Sequence, residues 1–153
     1  MNFETNFLIH ELVHFSLTSL VATIMWWRFR DWRLIVVAFL LGVFVDGDHL
    51  FDYFAYFGWH FNLVDFFHAG NYMEEAEKVY VLLHGWEFII PLWLIGRWLG
   101  KKAKIKGLGW AVVLAYLAHL LWDNLSFNHH PLAYSFVYRL LHHFSSNIFK
   151  ITS

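Results

Sequence analysis

Val45-Asp46-Gly47-Asp48-His49-Leu50-Phe51-Asp52 lies in the second half of an apolar run that extends from about Leu34 to Trp59. A run of that length suits a helix crossing a bilayer, whose hydrocarbon core of ~30 Å needs about 20 apolar residues. Yet three carboxylates and an imidazole fall within seven residues of it. Ionisable groups are costly in such a segment and mark functional sites when they occur there. On a helix, residues at i,i+3 and i,i+4 share a face. Asp48 and Asp52 therefore line up, and Asp46 and Asp52 each stand three residues from His49. The group can converge on a cation. The bland alternative is a polar helix end solvated outside the bilayer, and matching groups in the other apolar segments weigh against it.

Working outward, the 153 residues suit one domain, 1–153. They are 59% hydrophobic and 15% charged, more apolar than a soluble domain of this size can hide, so an integral membrane domain is expected. The net charge of −1, with no basic stripe between aromatics, gives no case for nucleic acid. Without cysteine there are no disulfides or thiolate metal sites, whereas eleven histidines offer nitrogen ligands. Met1 to Asn6 lacks the basic start of a cleavable signal peptide and is expected to be retained.

Four apolar segments are expected to be transmembrane helices: about Phe7–Trp27, Leu34–Trp59, Val79–Leu99 and Leu108–Phe127. They lack the two-residue alternation of barrel strands, so the fold class is all-α. The turn after the first carries Arg28, Arg30 and Arg33, and the turn after the third carries Arg97, Lys101, Lys102, Lys104 and Lys106. The connection from Gly58 to Lys78 is acidic. The positive-inside rule then puts both basic turns in the cytoplasm and both termini outside. Leu132 to Phe144 has apolar residues at helical spacing opposite Ser135, Arg139, His142 and His143, which predicts an amphipathic helix on the outer surface. His14, His49, His84 and His119 are evenly spaced, but their flanks do not match and no repeat is read from them.

With that topology the polar residues meet at one depth. The first segment offers His10 and His14 on one face, His14 about 10 Å in from the outer end at ~1.5 Å per residue. Glu11 points off that face. The second brings Asp46, Asp48, His49 and Asp52, the third His84 and Glu87, the fourth His119 and Asp123. Expected metal ligands are His10, His14, Asp46, Asp48, His49, His84, His119 and Asp123. Imidazole and carboxylate without sulfur suit a catalytic divalent ion, zinc first, with manganese and iron as alternatives. The number of ligands allows two or more ions, which would activate water and clamp the oxygens of a displacement at phosphorus. Asp52 or Glu87, if left free, is the expected general base. His68 and His129 are candidates to cap the site.

These motifs resemble those of the small membrane-bound metal-dependent hydrolases of prokaryotic inner membranes, which are likened to zinc-dependent phospholipase C. The resemblance rests on His14-Phe15-Ser16-Leu17, on Val45-Asp46-Gly47-Asp48-His49 for a Pro-Asp-x-Asp-His motif, and on His84. It also rests on Ala115-Tyr116-Leu117-Ala118-His119-Leu120-Leu121-Trp122-Asp123, which is similar to a Gly-Tyr-Leu-x-His-x-x-x-Asp motif. Val45 replaces the family's proline, and Leu83-His84-Gly85-Trp86-Glu87 lacks the upstream His and Arg of its third motif. The resemblance implies a multi-pass inner-membrane protein with a metal site. The expected activity is hydrolysis of a lipid phosphoester at the extracytoplasmic face, with membrane lipid as surroundings and a lipid or lipid phosphate as substrate. A metal carrier, a haem b protein and a non-catalytic interaction subunit are the competing expectations, and no motif points to a particular protein partner or oligomer.

Overall fold

The computed structural model describes residues 3–67, 72, 73, 75–126 and 130–149, with side chains from residue 9 onward. Among them the regular structure is entirely helical. Helix α1 spans Phe3–Phe29 and α2 spans Arg33–Phe44. A tight 3₁₀ turn, Val45–Asp48, runs on into α3, His49–Phe57. After the short α4, Leu63–Phe67, the chain takes an irregular path to a second 3₁₀ turn at Trp86–Phe88. Then follow α5, Ile89–Ala103, α6, Leu108–Ser126, and a six-residue α7, Phe136–Leu141.

Helix α6 is the hub and packs against α1, α2 and α5, while α1 also lies along α2. Small residues set these approaches. A Cβ on Gly96 of α5 would stand 2.9 Å from Gly109 Cα of α6, so the two backbones nearly touch there. One end of the bundle, beside the basic turns, is closed by Met25, Leu34, Leu108, Ala111 and Val112. A thin layer of Ala22, Ala38 and Ala115 comes next. The polar residues begin beyond it.

Two stretches are long and apolar enough to cross a membrane, Arg33–Phe57 and Leu108–Ser126. The third expected segment does not form a helix from Val79. Its regular helix starts at Ile89, because residues 80–85 are drawn off by side chains. Asp52 accepts the N–H groups of Tyr80 (2.5 Å) and Val81 (2.9 Å), and Asp48 accepts that of Leu83 (2.5 Å). Tyr116 Oη has the Leu83 and Gly85 carbonyls within reach of its single proton, at 2.6 and 2.8 Å, and accepts from Gly85 N–H. A backbone satisfied in this way has no need of helical partners.

The C-terminal segment also departs from expectation. His142 and His143 are exposed as expected, but so are Leu132, Val137, Leu140 and Leu141, whereas Arg139, expected on the polar face, is completely buried. Its guanidinium donates to the carbonyls of Ala133 (3.3 Å) and Val81 (3.0 Å), which makes burial tolerable. Val81 is held with φ of +36°, a strained backbone for a β-branched residue, by Asp52 on its N–H and Arg139 on its carbonyl.

Candidate metal centre

Four segments deliver the site. Helix α1 presents His10 and His14 one turn apart, and α6 presents His119 and Asp123 with the same spacing. The 3₁₀ turn after α2 brings Asp46 and Asp48 round, and the pinned loop 80–85 supplies His84. One ligand atom each from Asp46, His84, His119 and Asp123 converges within 4.8 Å.

Most edges of this figure are individually defined. His84 Nε2 lies 3.2 Å from His119 Nε2, 3.4 Å from Asp46 Oδ1 and 3.4 Å from Asp123 Oδ2. His119 Nε2 lies 3.2 Å from Asp46 Oδ1 and 3.1 Å from Asp123 Oδ2. A tetrahedron built on metal–nitrogen or metal–oxygen bonds of about 2.0–2.1 Å has edges of about 3.3 Å. The five defined edges are close to that value, a spacing at which these four atoms could hold one divalent ion.

Tautomers point the same way. His119 Nδ1 sits 3.1 Å from the carbonyl oxygen of Gly42, which can only accept, so Nδ1 carries the proton. His84 Nδ1 sits 3.1 Å from Asp48 Oδ2 in the carboxylate–imidazole arrangement that orients metal-bound histidines. Both Nε2 atoms then turn lone pairs toward each other and toward two carboxylates. Protonating both instead would set two imidazolium nitrogens 3.2 Å apart. One cation at the centre resolves the conflict more simply than two protons.

A second group adjoins the first. Asp123 Oδ1 lies 2.8 Å from His14 Nε2 and 3.3 Å from His10 Nε2, and the two imidazole nitrogens are 2.9 Å apart. Asp123 thus serves both groups, one oxygen each, as a bridging carboxylate does. An ion held by these three protein atoms would keep a position for water or substrate. Asp48, His49 and His84 form a third grouping within 4.8 Å, although Asp48 already engages His84 Nδ1. His49 Nε2 lies 3.5 Å from Asp46 Oδ1.

No family model, curated protein or solved structure matches this chain.

All eight expected ligands therefore meet in one cluster. Neither expected general base joins it. Both oxygens of Asp52 take backbone N–H groups, and Glu87 accepts from Ser135 Oγ, Phe136 N and Val137 N at the start of α7. Glu11, expected to point away from the His10/His14 face, is exposed. His68 and His129 lie outside the described residues.

Several contributors escaped the sequence reading. The Tyr134 ring lies over His84 with centroids 5.6 Å apart. Burial, reinforced by Asp123 and Asp46 nearby, pushes its phenol well up from the ordinary range, so it stays a protonated donor. Tyr116 anchors the loop that carries His84, and its position three residues before His119 was the available signal. Gly42 gave none, because its part is played by a backbone carbonyl.

Proposed function

We propose that this chain is a multi-pass membrane protein carrying a metal-dependent hydrolase site, opening toward the extracytoplasmic side and acting on a phosphoester of a lipid. The observation that carries the proposal is the Asp123 carboxylate shared between a four-atom His/Asp group and a three-atom one. Divalent ions held there, zinc first by donor type, supply Lewis acidity and a water of lowered pKa.

The protein's own groups do the rest. Asp48 and Gly42 fix the imidazoles of His84 and His119 so that their Nε2 atoms face inward. Asp46, with 35% of its side chain exposed, marks the open side where substrate enters. Glu11, exposed and next to His10 on α1, is the carboxylate that takes the proton from the attacking water, since Asp52 and Glu87 are committed to backbone N–H groups. Tyr134 donates a hydrogen bond to the substrate's phosphoryl oxygen.

The membrane reading is supported by apolar side chains turned outward on all four long rods. Examples are Leu12, Leu20 and Trp27 on α1, Leu40 and Val43 on α2, Ile90 and Leu94 on α5, and Leu125 on α6. The basic turns at one end agree with a cytoplasmic location for that end. The motif resemblance supports an inner-membrane hydrolase. A carrier is less favoured, because the apolar layer of Met25, Leu34 and Leu108 lies between the cluster and the basic end. Haem ligation between His84 and His119 is disfavoured too, since two trans bonds of about 2 Å need about 4 Å between nitrogens.

The test is elemental analysis of detergent-purified protein together with release of phosphate or headgroup from phospholipids and polyprenyl phosphates. Bound zinc, manganese or iron with turnover that chelator abolishes is the expected result. A metal-free protein prepared without chelator, inert toward every phosphoester, overturns the proposal.

A further inference from the structure

The end of the bundle opposite the metal cluster carries an open basic cleft. Arg30, Arg33, Lys104 and Lys106 line a cleft of about 600 Å³ between the α1–α2 and α5–α6 turns, with Asp31 as its one carboxylate. Asp31 is already committed to Arg33, gripping the guanidinium at 2.7 and 2.9 Å, which leaves the other three cations uncompensated within the cleft. The two turns are locked together. A Cβ on Gly107, whose φ is +84°, would stand 2.5 Å from the Phe29 ring, so only glycine permits this contact.

Two of the cations occupy positions that sequence preference would fill differently. Arg30 and Lys104 each end a helix with φ of +55°, closing on the carbonyls of Trp26 and Gly100. Glycine is the usual residue at such a left-handed cap, and a long cation there is strained. Its presence directs charge into the cleft from both sides.

The surroundings specify the kind of anion. A second groove, about 430 Å³, shares Phe29, Lys104 and Lys106 with the first and continues along Trp93, Leu108 and Trp110, with Arg97 and Lys101 also in its mainly apolar lining. Cations and indoles alternate around this end, with Arg30 over Trp26 (5.4 Å), Arg97 over Trp93 (5.3 Å) and Lys102 over Trp98 (4.0 Å). Trp27 and Trp32 project outward beside them. Such a belt stands at headgroup depth, where basic pockets between helices take phosphate headgroups. The charged cleft and its apolar continuation match a headgroup and the chain attached to it.

We infer that this end of the protein is a binding site for an anionic phospholipid of the cytoplasmic leaflet, its phosphate held by Arg30, Lys104 and Lys106 and an acyl chain lying along the Trp93–Trp110 groove. The site rests on the membrane reading but is independent of hydrolysis. It anchors this end of the bundle while chemistry proceeds at the other.

The test uses the full chain in detergent, titrated with phosphatidylglycerol, phosphatidylcholine or inorganic phosphate, with melting temperature and native mass spectrometry as readouts. The variant is Arg30→Gly with Lys104→Gly, which removes charge where glycine suits the backbone and so preserves the fold. Phosphatidylglycerol should raise the wild-type melting temperature and remain bound in the spectrometer, whereas phosphatidylcholine should not. The double variant should bind it roughly 30-fold more weakly. Equal shifts with phosphatidylcholine, equal shifts with inorganic phosphate alone, or undiminished binding in the variant each overturn the inference. A chain that stays soluble without detergent overturns the membrane reading itself, a result distinguishable from loss of lipid preference.

Discussion

Asp123 places one carboxylate oxygen 2.8 Å from His14 Nε2 and turns the other toward His119 Nε2 at 3.1 Å, joining α1 and α6 through a single side chain. Neither histidine group is complete without it. Asp123→Asn keeps the volume and one acceptor oxygen but loses the charge and the second oxygen. The expected outcome is loss of metal from both groups, read by elemental analysis, with helical circular dichroism preserved. His14→Ala should remove only the three-atom group and leave the four-atom group loaded. If Asp123→Asn kept its full metal content, the bridging role would be wrong.

Gly42 ties packing to chemistry. A Cβ there would stand 2.2 Å from Thr18 Oγ1, and its carbonyl holds His119 Nδ1 at 3.1 Å. Gly42→Ala is expected to push α1 from α2 at a cost of about 1–3 kcal/mol and to tilt His119 out of register. Thr18→Ala in the same chain removes the two nearest atoms and leaves only its Cβ, at 3.0 Å, so it should restore most of the thermal stability and metal content together. Thermal melts of the single and double variants, with metal assayed in parallel, check this.

Asp52 separates a structural role from the catalytic one expected of it. Its two oxygens hold the Tyr80 and Val81 N–H groups and thereby the loop that presents His84. Asp52→Asn keeps only one acceptor and leaves a buried N–H unpaired, so a loss of about 1–3 kcal/mol is expected. Metal content should fall along with stability, whereas removal of a general base would lower turnover with metal retained. Glu11→Gln is expected to give that second pattern. Comparing metal content with kcat in the two variants decides which carboxylate moves the proton.

How much of this could be read in advance differs by element. His119 and Asp123, or His10 and His14, announce themselves through a four-residue spacing on apolar helices, and the structure keeps that geometry. Asp46 and Asp48 were found because charge is costly in an apolar run. The helical start expected at Val79 failed because hydropathy does not register side chains from distant segments that capture backbone N–H groups. Asp52, Asp48 and Tyr116 do so here, and the loop gains a conformation no local propensity favours. The same blindness misplaced Arg139, since its burial depends on the Val81 carbonyl, 58 residues away. Local periodicity finds ligands that share a helix. It does not find the clamps that bring segments together.

Tyr134 provides the sharpest check on chemistry at the cluster. Its ring packs over His84 and its phenol stays protonated beside Asp123 and Asp46. Tyr134→Phe keeps the ring and removes only the donor. Metal content should therefore change little, while kcat falls by about 10²- to 10³-fold, the range seen when one donor to a developing negative charge is deleted. KM should stay nearly level, because such a bond strengthens on the way to the transition state. Tyr134→Leu, which also removes the ring from His84, should lose metal as well. A Tyr134→Phe protein with undiminished kcat would leave the residue with a packing role alone and assign the stabilisation of the phosphoryl oxygens to the metal ions.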